Sequence, residues 1–526
     1  MSYIDLDGYH IKKKDINEIE YKQIIKELSV KPNNNVYIDE NIVYNQYKIK
    51  DDELIVPKFY GIKKFGLVNK RNYNPEKIKI PFLGNLRNYQ IPIVDKCLAY
   101  IQETGGCQMS VPCGYGKTIM SIYIAHKLGL KTLVLVHKSF LQDQWIKCIQ
   151  QFTGTYSGII RCDQAQTKGY AFSVGMIQSI GRRDYGKIFE KFGLIICDEC
   201  HRYASKWFSR TISRITGLAN TLGLSATLYR GDGLIRIVNW YLGDVAYQEK
   251  NKENNQVCVK VLTFSSSSEK KFVEKTRFFR RKSLPDVTKM INNLVDIPDR
   301  NNMVISVINE IRKNPERKIL VLSGRKETHL YMLKEKVDEL IDMDVKNGKL
   351  LKEECQTFFY IGDTKQKDRF RAEKDADILF ATYEMAQEGL DIERLNTIVL
   401  ATPKKDVVQA IGRILRKILE NGDTRPLVID IVDDLSIFRS QARVREKNYI
   451  KNKYFLQYYY VYNDKLVSSK KYLELTGMSG NANDNVPKSW EEAMWLPIVD
   501  LNINNEVIPK KQDLSSEKVL KYFDCS

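Results

Sequence analysis

Two stretches constrain this chain more than any others. They are "SVPCGYGKTIMSIYIAHKLG", starting at Ser110, and "KFGLIICDECHRY", starting at Lys191. In the first, Gly114 and Gly116 flank Tyr115 and precede Lys117, Thr118 and an apolar periodicity that predicts a helix. Glycines let backbone N–H groups curl around a phosphate, and the helix that follows directs its positive end at the anion. Lys117 is then placed to reach the β- and γ-phosphates, and the Thr118 hydroxyl to ligate Mg²⁺. In the second, Leu194, Ile195 and Ile196 form a continuous apolar run, the pattern of a strand buried on both faces. Asp198 and Glu199 fall at its C-terminal end, the edge at which open α/β sheets bind ligands. Together the two stretches predict a nucleoside triphosphate site, with Asp198 holding the Mg²⁺ shell and Glu199 polarising the attacking water. Val111 stands where the strict G-x₄-G-K-T form places its first glycine.

The same segment raises a rival reading, because Cys197 and Cys200 stand in a C-x-x-C frame with His201 directly after them. No second C-x-x-C or H-x₃₋₅-H exists to complete a four-coordinate zinc site. The ten cysteines are otherwise scattered, which fits reduced, buried thiols in an intracellular protein. The chain has 526 residues, 43% of them hydrophobic, enough for ordinary cores in three or four domains. No long apolar run predicts a membrane span, and "MSYIDLDGYHIKKK" lacks the apolar region of a secretory signal. A net charge of +18 points to a polyanionic partner, nucleic acid first, although an anionic membrane surface would also suit charge alone.

Along the chain, residues 1–80 read as a small α+β accessory domain ending in "IVPKFYGIKKFG". Strand–helix alternation over 81–250 predicts one doubly wound α/β domain. Residues 251–300 break the alternation with "NKENNQ", "FSSSSEKK" and "KTRFFRRK" and read as a linker or insertion. A second α/β series over 301–435 offers the strands "KILVLS", "QTFFYI", "DILFAT", "NTIVLAT" and "PLVIDIV" but no phosphate loop of its own. Residues 436–526 form a basic and aromatic extension.

Within the second series, "DVVQAIGRILRK" reads as a helix. Gln409, Arg413 and Arg416 are then at i, i+4 and i+7 on one face. Such a face is compatible with plain solvation. It also suits arginines that stabilise charge on a γ-phosphate in the transition state and make hydrolysis depend on lobe closure. "EGLDI", with Gly389 and Asp391, precedes it and would couple the lobes.

Over about 81–435 these stretches resemble the superfamily 2 helicases and translocases. "LRNYQ" is similar to the adenine-sensing upstream motif, giving Arg87 and Gln90 as base contacts. "PCGYGKT", "DECH", "SAT" and "QAIGRILR" are similar to motifs I, II, III and VI. The resemblance implies two RecA-like parallel-sheet domains flanking an ATP cleft, Mg²⁺-ATP hydrolysis, and movement along nucleic acid, usually 3′ to 5′. It also implies that His201 touches Gln409 or the Ser225–Thr227 segment, linking hydrolysis to movement. The spellings are closest to the XPB and phage UvsW group, near the transcript-release helicases of large DNA viruses, and unlike "HRIGRTGR" of DEAD-box RNA helicases. A virus-encoded protein of the host cytoplasm, viral factory or virion is the corresponding expectation.

Candidates for backbone contacts, by the same resemblance, are Lys138, Gln178, Ser179, Arg325 and Thr382. These would read phosphates, so binding is expected to be independent of sequence and sensitive to salt. "KTRFFRRK" interleaves Phe278 and Phe279 with cations; it reads either as a stacking wedge or as a basic loop whose phenylalanines plug a core. "FRSQARVREKNYIKNK" reads as a duplex-binding helix or a solvated one. DNA is the expected track, with transcription or replication machinery as further partners and no membrane. The alternatives are an RNA helicase and, in another class, a nucleic-acid-binding assembly protein with a vestigial ATPase.

Overall fold

The computed structural model describes residues 2–31, 43–70, 73–112, 114–204, 211–226, 234–249, 257–279, 282–351, 353–388, 390, 392–415, 423–478 and 482–495. It divides into two units, Met1–Lys250 and Asn251–Ser526. No helix among the described residues is long and apolar enough to cross a membrane.

The first unit opens with a four-stranded antiparallel sheet of β1 (Tyr3–Asp5), β2 (Gly8–Lys12), β3 (Lys48–Lys50) and β4 (Glu53–Val56), in the order β1–β2–β4–β3. Helix α1 (Glu18–Leu28) closes its core through Ile24 and Leu28. Helix α2 (Lys58–Phe65) follows Pro57, and its Lys58 is 2% exposed. The Lys58 ammonium donates to Ala219 O at 2.8 Å and Gly105 O at 3.3 Å, at the foot of the larger sheet.

That sheet contains β5 (Gly106–Ser110), β6 (Thr132–Val136), β7 (Gly158–Arg161), β8 (Gln164–Ala165), β9 (Phe172–Met176), β10 (Leu194–Cys197), β11 (Asn220–Ser225) and β12 (Val245–Gln248). Their order is β8–β7–β9–β6–β10–β11–β5–β12, parallel except for the β7–β8 edge. The period of two along each strand feeds two cores at once. In β6, Val134 and Val136 enter one core while Leu133 and Leu135 enter the other; in β10, Leu194 and Ile196 oppose Ile195 and Cys197. Both cores are helix-covered, which explains why the strands read as unbroken apolar runs.

The second unit repeats the plan. Its sheet has β13 (Cys258–Ser265), then, beyond a separate hairpin of β14 (Thr276–Phe279) and β15 (Lys282–Pro285), β16 (Ile319–Ser323), β17 (Thr357–Tyr360), β18 (Ile378–Thr382), β19 (Thr397–Leu400), β20 (Leu427–Asp433), β21 (Phe455–Tyr462) and β22 (Lys465–Val467). The order is β17–β18–β16–β19–β20–β13–β21–β22, with only the β21–β22 edge antiparallel.

Two expectations about organisation need correction. The stretch 251–300, read as a linker, supplies β13, an interior strand between β20 and β21. The extension beyond 436 supplies β21 and β22, so its tyrosines belong to the same sheet. The signal was hidden because Lys260 interrupts the apolar run of β13. Lys260 is fully buried, and its ammonium donates to Gln457 Oε1 at 2.8 Å, Ala493 O at 2.8 Å and Tyr459 Oη at 3.1 Å. Burial, with the Arg317 charge adding to it, lowers its pKa to about 8.

Candidate active site

The phosphate loop leaves the C-terminal end of β5. Val111 continues the ladder, its N–H donating to Ser225 O at 3.1 Å, and its side chain is 1% exposed in the core. A valine therefore serves as strand residue where other phosphate loops use glycine. Gly114 and Gly116 take φ of +81° and +82°. At Gly116 any Cβ would also stand 2.4 Å from Gln90 Nε2, so glycine is required twice over. Helix α3 (Lys117–Leu128) starts at once, and the Lys117 ammonium folds back over its own loop to donate to Val111 O at 3.2 Å and Pro112 O at 3.4 Å. A cation is thereby held over a ring of backbone groups at a helix N-terminus.

Gln90, 3% exposed, is bound into this loop. Its Oε1 accepts from Arg87 N at 2.9 Å and its Nε2 donates to Tyr115 O at 2.8 Å. The Tyr89 and Tyr115 rings meet edge to face, 5.4 Å between centroids, and Arg87 Nη1 donates to Tyr89 Oη at 3.3 Å. Arg87, Gln90 and Tyr115 thus lie together beside the loop.

Asp198 follows β10 directly. Its backbone N–H donates to Leu135 O at 3.1 Å, while its Oδ1 accepts from Glu199 N at 3.0 Å and its Oδ2 from Trp145 Nε1 at 2.9 Å. Glu199 takes a left-handed φ of +49°, which turns the chain sharply into the single-turn 3₁₀ helix Cys200–Ala204. The Asp198 carboxyl is pushed up to about 6, first by burial and then by the Glu199 charge, against the Trp145 hydrogen bond and the Lys117 ammonium. His201 Nδ1 lies 2.9 Å from Ser225 Oγ, at the end of the neighbouring strand β11, and 3.3 Å from Glu199 Oε2. Cys197 and Cys200 are both fully buried. No cluster of three or more histidine, cysteine or acidic side chains able to hold a metal occurs among the described residues.

In the second unit, "DVVQAIGRILRK" does not form one helix. The helix Val408–Ile411 ends at Gly412, and Arg413 and Ile414 continue in tighter turns, with Arg413 N donating to Ala410 O at 3.0 Å and Ile414 N to Ile411 O at 3.0 Å. Gln409 and Arg413, expected at i and i+4 of one helix, are therefore separated by the end of that helix. The Arg413 guanidinium instead donates to Ala386 O at 2.8 Å and Leu390 O at 3.0 Å, gripping the segment that carries Gly389 and Asp391. Gln409 is half-buried. Arg416, Gly389, Asp391 and Thr227 lie outside the described residues.

Residues 83–230 match the family described as "Type III restriction enzyme, res subunit", and residues 299–417 match "Helicase conserved C-terminal domain". A protein of Acanthamoeba polyphaga mimivirus, provisionally named an ATP-dependent RNA helicase, is 36% identical over 468 residues, covering 86% of each chain. The chain is a superfamily 2 helicase. A provisionally named helicase of Invertebrate iridescent virus 6 is 26% identical and covers 75% of this chain and 87% of its own. Among solved structures, a fragment of a provisionally assigned HsdR subunit of a type I restriction enzyme from Vibrio vulnificus superposes with a TM-score of 0.52 at 16% identity, covering 74% of this chain and 71% of that one. It shares the fold of two RecA-like parallel-sheet domains. The helicase is accordingly an ATP-hydrolysing enzyme that works on nucleic acid, with relatives in large DNA viruses.

Of the candidate track contacts on the helicase, Lys138 is partly exposed at the N-cap of the helix Ser139–Thr153. Gln178 donates through Nε2 to His137 O at 2.6 Å. Ser179 is 8% exposed and its hydroxyl accepts from Cys162 N at 3.1 Å, bracing a residue with φ of +51°. Thr382 Oγ1 accepts from Met385 N at 3.4 Å at the start of the helix Tyr383–Glu388. Arg325 donates to Thr288 O at 3.2 Å and to Asn292 Oδ1, both on the helix Val287–Val295. Trp145 was not foreseen as part of the helicase site. A tryptophan on the inward face of an amphipathic helix reads as core, and only the fold reveals that its N–H meets Asp198.

Proposed function

We propose that this helicase is a DNA translocase that couples Mg²⁺-ATP hydrolysis to 3′-to-5′ movement and so unwinds or remodels branched or transcribing duplexes. The observation that carries the reading is the convergence of Lys117, Asp198 and Glu199 at the sheet edge, with His201 joining Glu199 to Ser225. In this reading Lys117 and the loop N–H groups, with Gly114 and Gly116, hold the phosphates. Arg87, Gln90 and Tyr115 read the adenine, and Gln409, Arg413 and Arg416 stabilise charge on the transferring phosphoryl group, with Gly389 and Asp391 coupling the lobes.

The donors offered by Thr118 and Asp198 are oxygens alone, and Asp198 is a buried carboxylate that lies beside the Glu199 charge. Both features suit Mg²⁺. When bound, the ion neutralises charge developing on the phosphate oxygens. Glu199 orients and deprotonates the attacking water. His201 and Ser225 pass the state of Glu199 to the loop after β11. Lys138, Gln178, Arg325 and Thr382 hold the phosphate backbone without reading sequence.

DNA as the track is supported by the spellings "LRNYQ", "PCGYGKT" and "QAIGRILRK". The name of the mimivirus relative favours RNA as a second reading. Steady-state ATP hydrolysis at fixed salt, with single-stranded, duplex or branched DNA or with single-stranded RNA, decides between them. Stimulation by branched or duplex DNA is the expected result; stimulation by RNA alone moves the helicase to the second reading. Transcription or replication machinery is the partner class that such remodelling would serve.

A further inference from the structure

Among the described residues, the hairpin β14–β15 pairs with no other strand. Isolated two-stranded ribbons are marginal in water, so this one depends on its root. The root is well fastened. Phe272 enters the core, its ring 5.5 Å edge-to-face from Phe264. Lys271 pairs with Asp296 at 3.0 Å, and Ser436 donates to Glu274 at 2.7 Å. Asp286 closes the base through its N–H to Lys275 O at 2.6 Å and caps the helix Val287–Val295 by accepting from Lys289 N at 3.0 Å.

Beyond that root the pattern inverts. Phe278 pairs across the ribbon with Ser283 and is 82% exposed. Thr276, Arg277 and Ser283 are exposed as well. A singly exposed apolar side chain is ordinary, but this ring lies on a two-stranded ribbon beside Lys275 and Arg277, in a sequence without a carboxylate from Lys275 to Lys282. A phenylalanine in a basic segment can also plug a core, and Phe278, 82% exposed, does the opposite. The helix that the hairpin leads into is also the one that Arg325 grips through Thr288 and Asn292. The exposed ring and the candidate phosphate contact therefore share one rigid mount.

We propose that Phe278 is a stacking platform for an unpaired base of the nucleic acid on which this helicase acts, with Lys275 and Arg277 beside it holding the adjacent phosphates. The inference rests on the reading that the strand passes Arg325. An aromatic ring stacks on any base, and cations beside it follow the backbone, so the site suits a single strand irrespective of sequence.

The test uses the full-length protein, a mixed-sequence single-stranded oligonucleotide and a blunt duplex, with affinities measured by fluorescence anisotropy at fixed salt. Phe278→Ala is expected to weaken single-strand binding by about 5- to 100-fold. Duplex binding and hydrolysis without nucleic acid are expected to stay unchanged. Phe278→Trp is expected to keep the affinity and to show emission quenched by the oligonucleotide. Wild-type affinity in the alanine variant, or a tryptophan emission indifferent to the bound strand, overturns the proposal and leaves the ribbon to a protein partner. A wild-type protein that neither binds strands nor hydrolyses ATP overturns the proposed function as well. One that does both while Phe278→Ala matches it overturns the hairpin site alone.

Discussion

His201 Nδ1 faces Glu199 Oε2 at 3.3 Å and Ser225 Oγ at 2.9 Å, so a single ring nitrogen touches both the carboxylate beside the phosphate loop and the end of the next strand. In the proposed reading, this relationship links hydrolysis to movement. Ser225→Ala removes the hydroxyl without opening a cavity of any size. It is expected to leave the nucleic-acid-stimulated ATPase within about threefold of wild type while strand separation per ATP falls about tenfold, the ~1.4 kcal/mol loss typical of one such hydrogen bond. Parallel ATPase and strand-displacement assays check this; equal losses in both would show that Ser225 serves hydrolysis itself.

Glu199→Gln keeps the shape of the site and removes the base. Hydrolysis is expected to fall by about 10²- to 10⁴-fold, with ATP and nucleic-acid affinities little changed. Lys117→Ala is expected to abolish hydrolysis by losing nucleotide affinity as well. Retention of wild-type rates by both variants would remove the site from consideration.

Asp198 sets a pH dependence. Its folded pKa of about 6 exceeds the ordinary 3.8, so the folded protein keeps this proton to higher pH than the unfolded chain does. The charged carboxylate therefore costs stability increasingly between pH ~4 and ~6 and fully above that, by about 2–3 kcal/mol at ~1.4 kcal/mol per pKa unit. Asp198→Asn is expected to raise the thermal midpoint of the nucleotide-free protein at neutral pH while abolishing hydrolysis. In the wild type, kcat/KM for ATP is expected to fall as pH drops below about 6, and excess Mg²⁺ is expected to move that limb to lower pH.

Arg413 spends its guanidinium on the carbonyls of Ala386 and Leu390. Two roles follow, and one experiment separates them. If it stabilises phosphoryl transfer, Arg413→Ala lowers kcat by about 10³-fold or more at an unchanged thermal midpoint. A role limited to holding the backbone would instead lower the midpoint and spare kcat. Arg413→Lys is expected to rescue neither, since one ammonium cannot reproduce the forked geometry.

The helix Ile437–Lys451, read as either duplex-binding or solvated, commits one of its cations inward. Arg445 is 2% exposed and donates to Asp430 through Nε at 2.9 Å and Nη2 at 2.8 Å, while Tyr449 Oη donates to the same carboxylate at 2.9 Å. Breaking such a buried pair from one side costs about 3–5 kcal/mol. Arg445→Ala is therefore expected to lower the thermal midpoint by roughly 10 °C. Its nucleic-acid affinity, measured well below that midpoint, is expected to stay near wild type.

How much of this was legible beforehand depended on where each residue's partners lie. Strands buried on both faces must be apolar throughout, so β10, β16 and β18 could be read from a handful of letters. Lys117, Asp198 and Glu199 were legible because phosphate chemistry restricts both residue type and position. The strand β13 was not, because its Lys260 finds its acceptors nearly two hundred residues away in Gln457 and Tyr459. The break at Gly412 was equally hidden, since the apolar spacing of "QAIGRILRK" runs straight through a glycine that the backbone uses to tighten. Trp145 follows the same rule: its chemistry belongs to a residue far away in the chain.

Lys58 buries an ammonium under the foot of β5, capping carbonyls of Gly105 and Ala219 while the Phe59 ring fills the space that a side chain on Gly106 would need. Anyone paring this motor down to its two catalytic blocks would uncover those carbonyls and open a groove beneath the strand that bears the phosphate loop. A fragment that begins before Lys58, well upstream of the first residue that any nucleotide motif would mark, is therefore expected to hold ATP where one cut at the catalytic blocks does not.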